Sequence, residues 1–186
     1  AMNDALRTGG LIPLNEPYLS LGYAYTGVHG TSTTSSSALS VTGPNAIVDW
    51  VVVELRSAST SANVLASSPA LLQRDGDVVA PDGASPLTFN VAPGNYHMAV
   101  RHRNHLGAMT GIAYALSGTP TTIDMTLPGT PAFGTNARAT VNGVMCLWPG
   151  DVNFDGVVRY SGGANDRDPV LLAIGGATPT NVVNGV

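Results

Sequence analysis

One segment near the C-terminus has the residue types and spacing of a calcium-binding loop. Asp151, Asn153 and Asp155 place oxygen-bearing side chains at alternate positions. Gly156 follows directly and would make the sharp turn at loop position 6. Such a loop wraps a hard cation with side chains at positions 1, 3 and 5, and the carbonyl at position 7 would be that of Val157. We therefore predict that these residues bind Ca²⁺ through oxygen ligands.

The second half of this loop departs from the EF-hand pattern. An EF-hand has a bidentate acid at position 12, where this chain has Gly162, and position 9 is Arg159. Asp166 and Asp168 follow a few residues later, and we predict that one or both complete the calcium shell. Without a cation, repulsion among four carboxylates within eighteen residues would oppose a compact loop. The alternative is that these residues only form turns, and that Asp168 only caps a helix beginning at Pro169.

The composition excludes several classes of function. Hydrophobic residues make up 44% of the 186 residues and charged residues only 11%, against a usual charged share of about 25%. All eight basic residues are arginines, and the net charge is -4. Because no basic cluster could neutralise a phosphate backbone, we expect no nucleic-acid partner. No P-loop, dinucleotide fingerprint or nucleophile elbow is present, so we expect a non-enzymatic protein without catalytic residues.

The number of cysteines and the hydropathy of the sequence indicate in which cellular compartment the protein is expected. Cys146 is the single cysteine, which excludes an intrachain disulfide framework and a multi-cysteine zinc site. Calcium can staple an extracellular domain in place of disulfides. The sequence has no apolar run of about 18 residues, so we expect no transmembrane segment. It also begins without a secretory signal, and we interpret it as a mature product or an excised fragment of a secreted protein.

Strand and turn signals predict an all-β fold. Segments 46–56 and 95–103 are rich in β-branched or aromatic residues and are bounded by Gly, Pro and Asn. Shorter strands are expected at 38–41, 63–66, 70–73, 77–80, 87–91, 108–115 and 121–127. Short strands separated by turn signals favour an antiparallel β-sandwich, which we expect to be Ig-like or prealbumin-like. Helical structure is expected only as a turn at 3–7 and as a short apolar helix before Gly175.

Two groups of polar residues need partners if these strands form. Asp49 lies on an apolar face of the first strand, and we expect it to pair with His102 or with an Arg of the segment 102–105. In the second strand, His102 would face away from the other members of a polar cluster. These members are His97, Arg101, Arg103 and His105. We interpret the cluster as mainly structural, with a ligand-contacting surface or a metal site as alternatives.

Five segments carry a further pattern. They are GLIPLNEPY (10–18), AIVDWVVVELR (46–56), ALLQRDGDVV (70–79), VRHRNHLGAMT (100–110) and DVNFDGVVRYSGGANDRDPVLLAIGG (151–176). Together they resemble a module found near the C-termini of large secreted proteins of Bacteroidetes and related bacteria. The last segment is also similar to the dockerin calcium repeat, in which an acidic loop leads into a short helix. The resemblance implies a secreted or cell-surface, calcium-binding, non-enzymatic role.

A change in composition at 129–140, where Gly, Thr and Ala dominate, predicts a domain boundary close to 149–150. We expect a β-sandwich domain at 1–148 and a dockerin-like loop and helix at 149–186. Modules of this type usually carry an LxGxY strand before the position of residues 2–4, and they usually repeat the acidic loop. The second copy would start at 184–186, where this sequence ends. We therefore expect either a fragment or a subunit that takes its missing strand from a neighbour.

Three functional hypotheses follow. The leading one is an extracellular structural or adhesion module whose tail is ordered by calcium. The first alternative is a self-assembling subunit of a filament or surface layer, built by strand exchange, which fully covered sheet edges would disfavour. The second is a carbohydrate- or protein-binding module. Tyr18, Tyr23 and Tyr25 could stack on sugars, although aromatic residues at strand spacing more often belong to a core or sheet face.

Overall fold

A six-stranded antiparallel sheet forms the centre of the protein. The computed structural model describes residues 1–27, 32–176 and 182. The strands of this sheet are β1 (Ile47–Ser57), β2 (Val64–Gln73), β3 (Val78–Val79), β4 (Gly94–His102), β5 (His105–Met109) and β6 (Tyr114–Leu116). Their order is β3-β2-β1-β4-β5, and β6 also pairs with β4. The predicted antiparallel, all-β class is confirmed.

The central strand β1 is buried on both faces. Its sequence is rich in β-branched residues, and its first nine residues are all buried. On one face, Trp50 and Val52 pack with Ile12 and Tyr18 of the N-terminal segment. The Tyr18 hydroxyl donates a 2.7 Å hydrogen bond to the Trp50 carbonyl, and the Trp50 indole donates one of 2.8 Å to the carbonyl of Pro13. These two bonds fix the N-terminal segment across the sheet.

The opposite face of β1 is covered by a segment without regular strands. Val51 and Val53 pack with Leu87 and Phe89. Residues 87–91 have the alternating apolar pattern of a strand, but they pair with no strand in the described part of the chain. The strand prediction at 87–91 is therefore wrong, because the alternation there seats side chains on the sheet without backbone pairing.

The remaining regular elements are small. A second sheet is the hairpin of β7 (Ala139–Val141) and β8 (Val144–Cys146). Its turn residues Asn142 and Gly143 have φ values of 51° and 81°, as a two-residue type I′ turn requires. The helices are α1 (Ala5–Thr8), α2 (Ser36–Leu39) and α3 (Arg167–Ala173). None of the helices in the described ranges is long and apolar enough to cross a membrane.

The two long strand predictions are confirmed to within one residue, whereas the short ones are confirmed only in part. The predicted strands 63–66 and 70–73 are one continuous strand, β2, and 108–115 is divided between β5 and β6. The predicted strand 77–80 is reduced to β3. The helical turn predicted at 3–7 is confirmed as α1. The position expected for a second acidic loop, 184–186, lies outside the described residues.

Local hydrogen bonds explain two of the failed strand predictions. The first two residues of the predicted strand 38–41 belong to α2 instead, because the Ser35 hydroxyl accepts a 3.1 Å hydrogen bond from the Ala38 N–H and caps a helical turn. At 121–127, the Asp124 carboxylate accepts a 2.8 Å hydrogen bond from the Thr126 N–H. This Asx turn directs the backbone away from strand pairing.

Both edges of the main sheet are partly covered. Backbone hydrogen bonds and bridges from segments 131–133 and 148–149 cover the outer edge of β5. On the other side, the Ser67 N–H of β2 donates a 2.9 Å hydrogen bond to the carbonyl of Thr26. Two residues further along the same edge, Pro69 has no N–H to donate. These features limit the backbone available for pairing with a second chain.

Asp49 pairs with the turn between β4 and β5. It is only 4% exposed, and its carboxylate accepts hydrogen bonds from His102 at 3.1 Å and from Arg103 at 3.0 Å. The Trp50 N–H donates a further bond of 2.8 Å. Burial alone would raise the pKa of Asp49, but the His102 hydrogen bond and the Arg103 charge outweigh it and hold the pKa below its usual value. The partners predicted for Asp49 are confirmed.

Replacing Asp49 by Ala should lower the free energy of unfolding by about 3 kcal/mol, because His102 and Arg103 would lose their buried acceptor. Urea unfolding of the two proteins measures this difference. The control is Asp77→Ala, which removes an exposed carboxylate and should change stability by less than about 0.5 kcal/mol. Similar losses in both variants would contradict the role given to Asp49.

Candidate functional site

The acidic loop begins at a fixed point beside the main sheet. The Trp148 carbonyl accepts a 2.8 Å hydrogen bond from the Leu106 N–H of β5. The Gly150 N–H then donates one of 3.0 Å to the carbonyl of Asn104, in the turn between β4 and β5. The chain therefore enters the loop from a position set by the sheet.

The first half of the loop is folded by its own polar side chains. The Asn153 side-chain oxygen accepts from the Asp155 N–H at 3.0 Å, and an Asp155 oxygen accepts from the Val157 N–H at 2.8 Å. The Asp151 Oδ2 atom accepts from the Gly156 N–H at 3.0 Å. Gly156 has a φ of 82°, the left-handed conformation that a glycine adopts readily. The sharp turn predicted at this glycine is confirmed.

Phe154 anchors the loop to the protein core. Its ring centroid lies 5.3 Å from that of Tyr18 and 6.3 Å from that of Tyr23. The residue has a φ of 60°, a conformation that is unfavourable for a bulky side chain. Packing of its ring against the two tyrosines offsets this local strain.

Asp166 ties the two ends of the loop together. Its two carboxylate oxygens accept hydrogen bonds from the Val152 N–H at 2.8 Å and from the Arg159 N–H at 2.7 Å. The Arg159 hydrogen bond is the main cause that holds the pKa of Asp166 below its usual value. The side chain is therefore a buried anion that faces the loop from its C-terminal side.

Asp151 is the buried carboxylate whose charge is least compensated. The residue is 1% exposed, and its Oδ1 atom has no hydrogen-bond partner among the described residues. Burial raises the pKa of Asp151, and the negative charges of Asp155 and Asp166 raise it further. A buried carboxylate oxygen without a donor is costly, and a cation is the partner that would satisfy it.

The other two predicted ligands, Asp168 and Val157, are exposed, unlike Asp151 and Asp166. The Asp168 carboxylate accepts hydrogen bonds from Asn165 at 2.8 Å and from Arg167 at 3.0 Å, and its side chain is 51% exposed. The helix α3 begins at Arg167 with Asp166 as its N-cap residue, so the prediction of Asp168 as the N-cap is wrong. The Asn165 side-chain oxygen accepts a 2.9 Å hydrogen bond from the Asp168 N–H, so Asn165 provides the acceptor for the first turn of the helix. Val157 lies on an exposed part of the loop.

The oxygen atoms that these residues could offer to a metal are of the type that a hard cation prefers. Asp151, Asn153, Asp155 and Asp166 offer only oxygen ligands, as Ca²⁺ prefers. Across residues 1–27, 32–176 and 182, however, no group of three or more His, Cys, Asp and Glu side chains is arranged to hold a metal ion. A calcium shell here would therefore need amide and backbone carbonyl oxygens in addition to carboxylates. The metal assignments of these residues stay predictions.

A histidine pair lies next to the entrance of the loop. The Nδ1 atoms of His102 and His105 are 2.9 Å apart, and one must donate while the other accepts. The prediction that these rings face opposite ways is wrong, because β4 ends at His102 and the chain turns before β5 begins. His97 lies elsewhere, with its Nδ1 atom 2.9 Å from the Thr110 carbonyl. Burial, and then the charge of His102, lowers the pKa of His105.

Two residues that matter for this region are not identified by the sequence pattern, Phe154 and Arg101. Phe154 lies between two predicted ligands and has no predicted role of its own, and Arg101 is predicted only as a member of the polar cluster. The aromatic residue at loop position 4 is a signal of burial, because a large apolar side chain is unfavourable in a solvent-exposed loop. Arg101 gave no comparable signal, since its neighbours come from distant parts of the chain.

Folding stability should fall as the pH drops below about 6.5. The unfolded chain takes up a proton on His105 near its ordinary pKa, whereas the folded protein does so only at lower pH. The stability present above that pH is therefore lost progressively down to the lowered pKa of His105. Urea unfolding at about pH 7.5 and about pH 5.5 measures the loss, which should be smaller in His105→Asn. An unchanged loss in that variant would show that other groups cause it.

No family model, curated protein or solved structure matches the chain. The resemblance to the C-terminal module of secreted proteins and to the dockerin repeat therefore stays a prediction. The acidic loop and the residues that anchor it are the features of this protein that bear on its function.

Proposed function

We propose that the acidic loop binds Ca²⁺ and that the protein is a non-enzymatic structural or adhesion module. The observation that carries the proposal is the buried Asp151 Oδ1 atom without a donor among the described residues. Two further negative charges, those of Asp155 and Asp166, act on the same carboxylate. A divalent cation would reverse this unfavourable arrangement, because all three carboxylates would be attracted to it.

The proposed ligands are Asp151, Asn153 and Asp155 side chains, the Val157 carbonyl and an acid from the start of α3. Asp166 is the better candidate for this acid. Its carboxylate already faces the loop through the Val152 and Arg159 N–H groups, and each oxygen keeps a second lone pair. Asp168, in contrast, is engaged by Asn165 and Arg167 on a half-exposed surface.

Calcium in this loop would act as a staple. The loop is hydrogen-bonded at one end, through Gly150, to the turn between β4 and β5, and Phe154 in its middle packs against Tyr18. Asp166 connects it to α3, a helix with no buried residues. A bound cation would therefore hold this helix in a fixed position relative to the sheet. Affinity of about 10⁻⁴ to 10⁻³ M, typical of extracellular modules, would suit this role.

This proposal includes an extracellular location and a sandwich-type fold with a dockerin-like loop, both supported by the sequence resemblance. It favours a structural module over a subunit that polymerises by strand exchange. The outer edge of β5 is bonded to segments of the same chain, and Pro69 interrupts the donors on the outer edge of β2. Both features leave less free edge for a neighbouring strand.

Calcium should raise the midpoint of thermal unfolding, and Asp151→Asn should remove most of the rise. At about 100 times the Kd, the linkage relation gives about 2.7 kcal/mol of added stability. The asparagine oxygen can still accept from the Gly156 N–H but lacks the charge that attracts the cation. In chelator, the variant should be at least as stable as the unsubstituted protein, because an uncompensated buried charge is gone. Calorimetry with calcium and with chelator measures both effects.

The matched control for this experiment is Asp124→Asn. Like Asp151, Asp124 accepts a hydrogen bond from a backbone N–H, that of Thr126 at 2.8 Å, but it does so in an exposed turn outside the loop. Its substitution should leave the calcium response unchanged. The proposal fails if Asp151→Asn responds to calcium like the unsubstituted protein, or if both variants lose the response equally.

Asp166→Asn should weaken calcium binding more than Asp168→Asn does. Titration calorimetry gives the Kd of each variant, and we expect an increase of about tenfold or more for Asp166→Asn, since it removes a charged ligand. Asp168→Asn should change the Kd by less than about threefold, in keeping with a distant charge near the protein surface. The reverse order would assign the closing ligand to Asp168.

A further inference from the structure

An open pocket of about 350 Å³ lies beside the acidic loop. Three charged side chains line it, Glu54 and Arg56 from β1 and Arg101 from β4. Tyr23 from the N-terminal segment and Phe154 from the loop complete its polar and aromatic wall. Its volume falls within the usual range of small-molecule sites, which begins at about 300 Å³.

Glu54 and Arg56 in this pocket already form hydrogen bonds with each other and with neighbouring residues. Glu54 is 1% exposed and accepts a 2.7 Å hydrogen bond from the Tyr23 hydroxyl through one oxygen. Its other oxygen accepts a 2.7 Å hydrogen bond from the Nε atom of Arg56. Arg56 also donates to the carbonyl of Ser61 at 3.2 Å. Neither side chain needs a ligand to complete its bonding.

Arg101 differs from Arg56 in this respect. Its guanidinium carbon lies 4.7 Å from the ring centroid of Phe154 and 5.7 Å from that of Tyr23. Its nearest carboxylate oxygen is that of Glu54 at 3.7 Å, which is too long for a hydrogen bond. No residue in the ranges 1–27 and 32–176 accepts a hydrogen bond from this guanidinium under ordinary distance limits. The side chain is also 26% exposed.

The aromatic contacts hold the Arg101 guanidinium in place while its N–H donors remain available. A guanidinium presents these donors as a planar fork, which matches the two oxygens of a carboxylate. The two arginines and one glutamate give the pocket a formal charge of +1, which suits a singly charged anion. A singly charged anion neutralises this charge, whereas a dianion such as hydrogen phosphate would leave a net negative charge beside the buried Glu54 carboxylate.

We propose that this pocket binds the carboxylate group of a small organic ligand, with Arg101 as the bidentate donor. Two sources have this chemistry, a sugar acid and the C-terminus of a peptide. Leu21 and Val64 line the pocket with apolar surface that the body of either ligand would cover. The proposal goes beyond the proposed calcium site and does not depend on metal ligation.

The test is titration calorimetry with four probes in one buffer. The probes are D-glucuronate, N-acetylglycine, neutral D-glucose and inorganic phosphate. We expect saturable binding of glucuronate or N-acetylglycine, and the better of the two identifies the source of the carboxylate. Glucose and phosphate should bind at least about tenfold more weakly. Absence of carboxylate binding, or equal binding of phosphate, would overturn the proposal.

Variants then assign the binding to Arg101. Arg101→Gln should weaken carboxylate binding by about tenfold or more, and Arg101→Lys should restore only part of it, because lysine has no planar fork. The control Arg74→Gln removes an arginine that is not among the pocket residues and should have no effect. Equal weakening in Arg101→Gln and Arg74→Gln would contradict the assignment.

A measurement on the unsubstituted protein covers the case in which Arg101→Gln does not fold. The Arg101 Nε–H signal in an NMR spectrum should shift on addition of the binding carboxylate and reach a plateau at the same Kd. Glucose should leave it in place. A carboxylate that binds without moving this signal would place the site elsewhere and overturn the proposal.

Discussion

The buried pairing of Asp49 with His102 and Arg103 is the interaction on which the position of the acidic loop depends. It joins the central strand to the turn between β4 and β5. Asn104 lies in that turn, and its carbonyl accepts the Gly150 N–H at 3.0 Å. The acidic loop begins at the next residue. A carboxylate inside the sheet therefore sets the entry point of a loop whose own carboxylates lie about a hundred positions later in the sequence.

Two buried carboxylates in this protein have opposite electrostatic surroundings. Asp49 receives hydrogen bonds from an arginine, a histidine and a backbone N–H, and its pKa lies below its usual value. Asp151 receives a backbone N–H on one oxygen only, and burial raises its pKa. Both oxygens of the Asp49 carboxylate therefore have donors within the described protein, whereas only one oxygen of Asp151 has one. This contrast is the physical reason for proposing a cation in the loop and for giving His102 and Arg103 a structural role.

The sequence carried enough information for the features that depend on local pattern. β1 and β4 were predictable from β-branched residues, and the turn at Gly156 from the spacing of the acidic residues. Features that depend on tertiary contacts were not. Residues 87–91 alternate like a strand, yet they only cover the sheet. Strand alternation misplaced His105 because it assumes that the chain continues straight, whereas the chain reverses after His102. The stacking of Arg101 on Phe154 joins β4 to the acidic loop, and no local pattern records such a contact.

Phe154 connects the proposed calcium site with the proposed carboxylate pocket. Its backbone lies between Asn153 and Asp155 in the loop, while its ring lies 4.7 Å from the Arg101 guanidinium carbon. Its φ of 60° costs free energy of order 1 kcal/mol, which packing against the tyrosines must offset. An ion that orders this backbone conformation therefore also favours the ring position that supports Arg101. Because such coupling is reciprocal at equilibrium, a carboxylate that favours the same ring position would strengthen the proposed calcium binding by the same factor.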